Sequence, residues 1–425
     1  MNQVPGRAAI ARLLALAAVV GAAVGAVFHG FEELLHHAQH ALWVDLIGEQ
    51  PSALATIGLA TAGGAALGLA LWLLPGHGGP HPADHHGLLP ASGGRTTVTL
   101  VAASLVVGFV GLAAGASLGP EGALMPGAVG LSVLAARVAR AEGPAEQLLI
   151  ASGLGALMAA MFHHPLAGAV VLLEVLPAFS AAPAIVVLLP TLTASAFAVI
   201  TLQVFGAQPI ISLPFDYPTF RPVHLAWAVL VGVVAGAAGL LIDRLVPLLR
   251  RLTVRLDARH VLVTTTLGGL VLGLLYVAGG VETRFTGFPE LLFLMRDDPA
   301  LGTVIVVLLV KTVATAWSLA AGYRGGRIFP AAFIGGAAGL ALHGVFPSLP
   351  MVVAVSVGLS AAMVTAVGMP VTALLSSAAL LPSRLLPLAV LGGVAAHAVH
   401  LLAEQLAPPA GGAAHSEPAL DGQHG

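Results

Sequence analysis

The sequence has no cysteine and very little charge. The absence of cysteine from its 425 residues excludes disulfide bonds, iron–sulfur clusters and thiol catalysis. Charged side chains make up only 8% of the chain, whereas a soluble domain carries about 25%. Because such a chain has too little polar surface to cover itself in water, we expect it to be solvated by lipid. The net charge of -2 gives no indication of a nucleic-acid partner.

Hydrophobic residues, 58% of the chain, are arranged in long runs. The runs extend over roughly 18–25 residues without alternating polar positions, which predicts membrane-spanning helices and argues against a β-barrel. The many glycine (52) and proline (29) residues favour closely packed and broken helices. We therefore predict an all-α polytopic membrane protein.

Basic residues indicate how the chain is oriented. Arg7 and Arg12 flank the first apolar run, 8–31, which is too long for a cleaved signal peptide and is predicted to be the first membrane helix. Glu32 and Glu33, which follow it, are predicted to be interfacial. A helix predicted over 224–249 ends in a second basic cluster, comprising Arg244, Arg250, Arg251, Arg255 and Arg259. Under the positive-inside rule, this loop and the N-terminus are cytoplasmic.

A weak internal repeat divides the chain. The segment 151–175 resembles 355–379, since each is a helix of small residues followed by a proline that opens a shorter apolar helix. A glycine-rich turn precedes each, GPEG at 119–122 and GGRIFP at 325–330. We predict a first membrane repeat over 1–205, a linker over 206–222, a second repeat over 223–406 and a disordered polar tail over 407–425.

The GPEG turn places a carboxylate, Glu121, within apolar sequence. Pro120 suits the start of a helix, whose free N–H groups give that end a partial positive charge. An anion could bind there, or the Glu121 carboxylate could occupy the same position and act as a gate. The simpler alternative is a carboxylate that caps a helix, but an ionisable group inside a membrane segment favours a functional site.

The segment 322–339 is a second glycine-rich turn that precedes a helix. Gly325 and Gly326 allow close approach of the backbone, and Pro330 is predicted to start the helix. Arg324 and Arg327 would either line an ion path or anchor the helix at the cytoplasmic interface. Lys311, the only lysine, lies in an apolar helix and is predicted to snorkel or to pair with a carboxylate.

Histidines cluster at two other places. The loop 76–87 offers a set of candidate metal ligands or pore-lining groups, namely His77, His81, Asp84, His85 and His86. Its spacing fits no zinc pattern well, so an interfacial cluster without a ligand is the alternative. His163 and His164 precede the short helix that carries Glu174, and packed polar residues at a helix break are the favoured interpretation there.

These motifs, in this order, resemble those of the CLC chloride channels and chloride/proton antiporters, and in particular a divergent bacterial branch of ion-transport proteins. GASLGPEGALMPGAVG is similar to the family's GxxGPxxxxGxxxG element, HHPLAGAVVLLE to its NAPLAGxxFxxEE element and GYRGGRIFPAAFIGGAAG to its GGxFxP element. GHGGPHP lies where the family has GSGIPE. Covering roughly 8–406, the resemblance implies two inverted repeats of tilted, broken helices and one pore per subunit of a homodimer.

The resemblance also implies roles for individual residues. Glu121 corresponds to the gating glutamate, while Glu174 and His163 are candidates for a proton path. The implied anion-binding residues are His77, Gly78, Gly119, Pro120, Gly122, Gly326, Arg327, Ile328 and Phe329. Three departures from the family pattern are that His77 replaces a serine, Val175 replaces the second glutamate of the EE pair, and the tyrosine that closes the inner side has no counterpart.

The resulting prediction is a membrane transporter, not an enzyme, with no cofactor and no metal. It would carry small anions (chloride, with fluoride or nitrate as further candidates) across a bacterial inner membrane, as a channel or as a proton-coupled exchanger. Two alternatives stay open. One is a divalent-cation transporter that uses the histidines of 77–86, and the other is a non-conducting membrane scaffold.

Overall fold

A computed structural model describes residues 7–74, 98–175, 184–207, 217, 219–257, 260–297 and 299–406. Within these ranges the chain is helical and forms no strand, apart from one isolated antiparallel bridge between Gly119 and Gly326. This confirms the all-α prediction. The linker positions 208–216 and 218, the loop 75–97 and the tail 407–425 lie outside the described residues.

The first half of the chain contains seven of the described helices. They are α1 (Arg7–His40, extended by a π-helical turn, Ala41–Asp45), α2 (Ala53–Leu73), α3 (Val98–Ala113), α4 (Glu121–Val138), α5 (Pro144–Phe162), α6 (Pro165–Val175) and α7 (Ala184–Val204).

The second half contains eight described helices and two short 3-10 turns, Val281–Thr283 and Ser383–Leu385. The helices are α8 (Val223–Asp257), α9 (Val261–Gly279), α10 (Phe288–Asp297), α11 (Leu301–Ala320), α12 (Ile328–Val345), α13 (Met351–Val367), α14 (Pro370–Ala378) and α15 (Leu386–Leu406).

Among the described residues, eight helices are long and apolar enough to cross a membrane. Two predicted boundaries are wrong. Helix α8 continues to Asp257, because arginines are good helix formers and several of those in the basic cluster extend the helix rather than ending it. Helix α12 begins at Ile328, two residues before the proline that was expected to open it.

Helix lengths recur in the same order in the two halves. The pairs α1 and α8 (34 and 35 residues), α4 and α12 (18 and 18) and α6 and α14 (11 and 9) correspond along the chain. The pairs α5 with α13 and α7 with α15 continue the series. This order is that of a repeated architecture, whereas the division at 205 and 223 stays a prediction.

The centre of the bundle is formed by α5, α12 and α13, whose residues are mostly buried. Small side chains allow this close packing. A Cβ atom added to Gly335 of α12 would overlap the backbone of Gly358 in α13, and one added to Gly358 would overlap Gly335. Glycine at facing positions lets the two backbones touch, which is how helices associate in the absence of large apolar side chains. The N-terminus of α12 is thereby fixed inside the protein.

Candidate functional site

The N-terminal ends of α4 and α12 meet in the middle of the bundle. The N–H of Gly119 donates to the carbonyl of Gly326 at 2.9 Å, and the N–H of Gly326 donates to the carbonyl of Gly119 at 2.8 Å. The two glycine-rich turns singled out in the sequence, about two hundred residues apart, therefore form one structure. Two helix N-termini converge there, and their free N–H groups favour negative charge.

Glu121 is the first residue of α4 and its side chain is only 1% exposed. Its Oε1 atom accepts a hydrogen bond of 2.7 Å from the backbone N–H of Ile328, the first residue of α12. Its Oε2 atom is buried and has no hydrogen-bond partner among the described residues. The carboxylate thus holds a helix N–H that an anion could use, while half of its own hydrogen-bonding capacity is unused.

Glycines surround the Glu121 carboxylate because nothing larger fits. A Cβ atom added to Gly326 or to Gly119 would overlap the Glu121 side chain, and one added to Gly122 would overlap the backbone of Gly325. Pro120 is the N-cap residue of α4. The predicted residues around Glu121, with the exception of the histidine loop, are therefore brought together by the fold.

Aromatic rings form one wall beside this position. The ring of Phe329 lies 5.7 Å from that of Phe162 at the end of α5 and 6.5 Å from that of Phe288 at the start of α10. Ile328 and Phe329 are 5% and 7% exposed. A dry apolar wall strengthens every electrostatic interaction next to it.

The side chain of Arg327 does not hydrogen-bond to the Glu121 carboxylate. It forms an ion pair with Asp243 of α8, and both side chains are partly exposed. Arg327 is nevertheless the N-cap residue of α12 and directly precedes Ile328. Its charge therefore lies next to the N-terminus of α12, but its hydrogen bond stabilises the contact between α8 and α12. The side chain of Arg324 is partly buried.

Glu174 and His163 occupy different structural positions from Glu121. Both Glu174 oxygens accept backbone hydrogen bonds at the start of α14, from Val371 at 2.6 Å and from Thr372 at 2.8 Å. His163 ends α5 in a left-handed conformation (φ 50°), and both its ring nitrogens are buried without a hydrogen-bond partner in the described part of the chain. Glu174 is thus engaged as a helix cap, and neither residue hydrogen-bonds to Glu121.

Lys311 was expected to snorkel or to pair with a carboxylate, and it does not snorkel. Its ammonium group is completely buried and donates to three carbonyl oxygens of one turn, those of Thr283 (3.3 Å), Arg284 (2.8 Å) and Phe285 (2.7 Å). The carboxylate of Glu290 interacts with it electrostatically. No spacing in the sequence relates residue 311 to the turn at 283–285, so the contact could be found only in the fold.

Other predictions concern residues that are not described. His77 and Gly78, the candidate ligands of 77–86 and the side chain of Val175 lie outside the described residues. In the part of the chain that the structure describes, no three histidine, aspartate or glutamate side chains are grouped so that they could hold a metal ion.

Comparisons with known proteins agree with the resemblance found in the sequence motifs. A family model described as voltage gated chloride channel matches residues 65–401. The Escherichia coli protein named "Putative ion-transport protein YfeO" (strain E24377A / ETEC) is 31% identical over 358 residues, which cover 82% of this chain and 84% of that protein. The same protein from strain K12 / DH10B is also 31% identical over the same shares.

Solved structures share the fold. A slow cyanobacterial Cl-/H+ antiporter matches with a TM-score of 0.80 and 23% identity over 92% of this chain and 95% of that one. A CLC-type fluoride/proton antiporter matches with a TM-score of 0.74 and 20% identity over 93% and 97% of the two chains.

Proposed function

Because this chain belongs to the voltage-gated chloride channel (CLC) family, we propose that it carries small inorganic anions across a bacterial inner membrane through a pathway gated by Glu121. The observation that carries the proposal is the hydrogen bond from the N–H of Ile328 to the Glu121 carboxylate. The carboxylate there occupies the position of a bound anion, at the joined N-termini of two helices. For an anion to accept a hydrogen bond from that N–H, the carboxylate has to move away from it.

Protonation is the step that releases the carboxylate. A neutral carboxylic acid is held less strongly by helix N-termini than a carboxylate is, since the attraction is mainly between charges and dipoles. The Oε2 atom is buried and has no donor within the described ranges, so it is the oxygen that a proton would satisfy. Anion passage and proton binding thus compete for the same side chain, which favours a proton-coupled exchanger over a channel.

Chloride and fluoride are the leading cargo candidates, with nitrate as a third. The structural relatives named above are described as a Cl-/H+ antiporter and as a fluoride/proton antiporter. The described groups that touch the Glu121 carboxylate are Gly119, Gly326 and the backbone N–H of Ile328, so selectivity there would depend on backbone N–H groups and on the size of the site. The predicted homodimer and the cytoplasmic N-terminus belong to this proposal as well.

The test is anion efflux from liposomes that contain the purified protein. We expect efflux of chloride, fluoride or nitrate under a membrane potential, with a rate that increases as the pH falls. In Glu121→Gln the side chain is neutral at every pH, so efflux should persist and lose its pH dependence. Glu33→Gln, which changes an exposed carboxylate on α1, is the matched control and should behave as the unmodified protein.

Two results would contradict the proposal. One is the absence of efflux for all three anions, which the scaffold alternative predicts. The other is an unchanged pH dependence in Glu121→Gln. Proton uptake recorded during chloride efflux separates exchanger from channel, because a channel moves anions without protons.

A further inference from the structure

Helix α1 brings a second carboxylate, Glu32, towards the gate. The apolar part of α1, residues 13–31, rises by about 28 Å at 1.5 Å per residue, close to the ~30 Å of a bilayer's hydrocarbon core. Glu32 follows directly and therefore lies at the opposite end of the apolar layer from Arg7 and Arg12. The side chains of His37, His40 and Asp45 further along are more than half exposed, so this end of α1 reaches water.

Packing places Glu32 at the level of Glu121. Phe31 packs edge-on against Phe109 of α3, with ring centres 5.9 Å apart. Next to Phe109, Gly108 lies so close to Ala123 of α4 that an added Cβ atom would overlap it. Ala123 is two residues from Glu121, and the carboxylates of Glu32 and Glu121 lie within electrostatic range of each other.

Each of these two carboxylates has one oxygen without a partner. Glu32 Oε1 and Glu121 Oε2 are both buried, and neither accepts a hydrogen bond from any residue that the structure describes. A buried oxygen without a donor is costly, and a second negative charge within electrostatic range increases the cost. A shared proton removes one of the two charges and provides the missing donor.

Within the described ranges, few other ionisable groups face Glu32. Helices α3 and α7, which pack on α1, contain none. On α4, Arg137 lies at the far end, where Arg12 of α1 donates to the Ala139 carbonyl. On α5, Glu146 lies in the first turn, and His163 at the other end interacts electrostatically with His29 of α1. The carboxylates that act on Glu32 are thus Glu121 and its exposed neighbour Glu33.

We propose that Glu32 is a second proton-binding group of the gate, which shares one proton with Glu121 and exchanges it with water at the exposed end of α1. The proton moves from the Glu32 carboxylic acid to the Glu121 carboxylate, so the charge of the pair does not change. The neutral Glu121 side chain then moves away from the N–H of Ile328, and an anion binds there. Glu32 takes up the next proton. This inference rests on the proposed role of Glu121 as the gate.

The decisive variant is Glu32→Gln, with Glu33→Gln as the matched control. Two measurements use the full-length protein in lipid. The first is proton uptake per chloride released from liposomes, which we expect to fall about tenfold in Glu32→Gln, since a positioned acid or base contributes factors of 10² or more to proton transfer. The second is an infrared pH titration of the buried carboxyl band that disappears in Glu121→Gln. Its midpoint should move to lower pH in Glu32→Gln, because a nearby negative charge has been removed.

The two measurements separate the two proposals. If the unmodified protein shows no anion efflux, the proposed function is contradicted. The infrared titration does not depend on efflux, so it still tests whether Glu32 shares a proton with Glu121. An unshifted band in Glu32→Gln overturns the shared proton. An unchanged ratio of proton uptake to chloride release, or equal effects of Glu32→Gln and Glu33→Gln, overturns the relay.

Discussion

At the scale of single residues, the candidate site depends on how closely glycine backbone approaches the Glu121 side chain. Gly326 exchanges two hydrogen bonds with Gly119 and leaves no room for a Cβ atom beside the carboxylate. The GPEG and GGRIFP motifs predicted both glycines and the carboxylate from the sequence. They could not predict that one carboxylate oxygen has no donor among the residues that the structure describes, because this depends on three-dimensional contacts between the two halves.

Gly326→Ala should displace the Glu121 carboxylate from the N–H of Ile328. The added methyl group would overlap the Glu121 side chain, and overpacking of this kind costs about 1–3 kcal/mol. We expect a lower melting temperature of the purified protein in detergent and anion efflux that depends less on pH. Gly30→Ala on α1 is the control, since an added Cβ atom there meets nothing within 4 Å. A melting temperature in Gly326→Ala equal to that of the control would contradict the packing argument.

At the scale of elements, the helices were predicted closely, but the contacts that stabilise the turns between them were not. Uninterrupted apolar runs and prolines determine where α5, α6, α9 and α14 begin, because helices in lipid must satisfy their own backbone groups. The turn at 283–285, between α9 and α10, is stabilised by groups that are distant in sequence. Lys311 of α11 binds its carbonyls, and the Ser117 hydroxyl donates to the Thr283 carbonyl at 3.3 Å.

Lys311→Met should destabilise this turn strongly. It removes the charged donor of three hydrogen bonds, each worth about 1.5–3 kcal/mol. It also removes the positive charge that acts on the Glu290 carboxylate. The double variant Lys311→Met with Glu290→Gln removes both charges and should lose less stability than the sum of the two single variants. The melting temperatures of all three variants in detergent measure this. Additive losses would show that Lys311 and Glu290 act independently.

At the scale of the whole molecule, the two halves are joined beside Glu121, the proposed gate, and again between α6 and α14. The sequence predicted that corresponding helices exist in each half, since the same pattern of small residues and proline occurs twice. It could not predict that they bind one another, because the pattern contains no information about partners. Glu174 was considered as a proton carrier, and the structure places both its oxygens on the N–H groups that begin α14.

Glu174→Gln therefore distinguishes a cap from a proton carrier. If Glu174 serves as a cap, the loss of two charge-assisted hydrogen bonds should cost about 1–2 kcal/mol and lower the melting temperature. Proton uptake per chloride would then remain, because the proposed proton route runs through Glu121 and Glu32. If Glu174 is the carrier, Glu174→Gln would abolish proton uptake with little loss of stability. Glu404→Gln, which changes an exposed carboxylate on α15, is the control for removing a charge. Measuring melting temperature and proton uptake on the same preparations decides between the two roles, since each predicts a loss in one quantity and retention of the other.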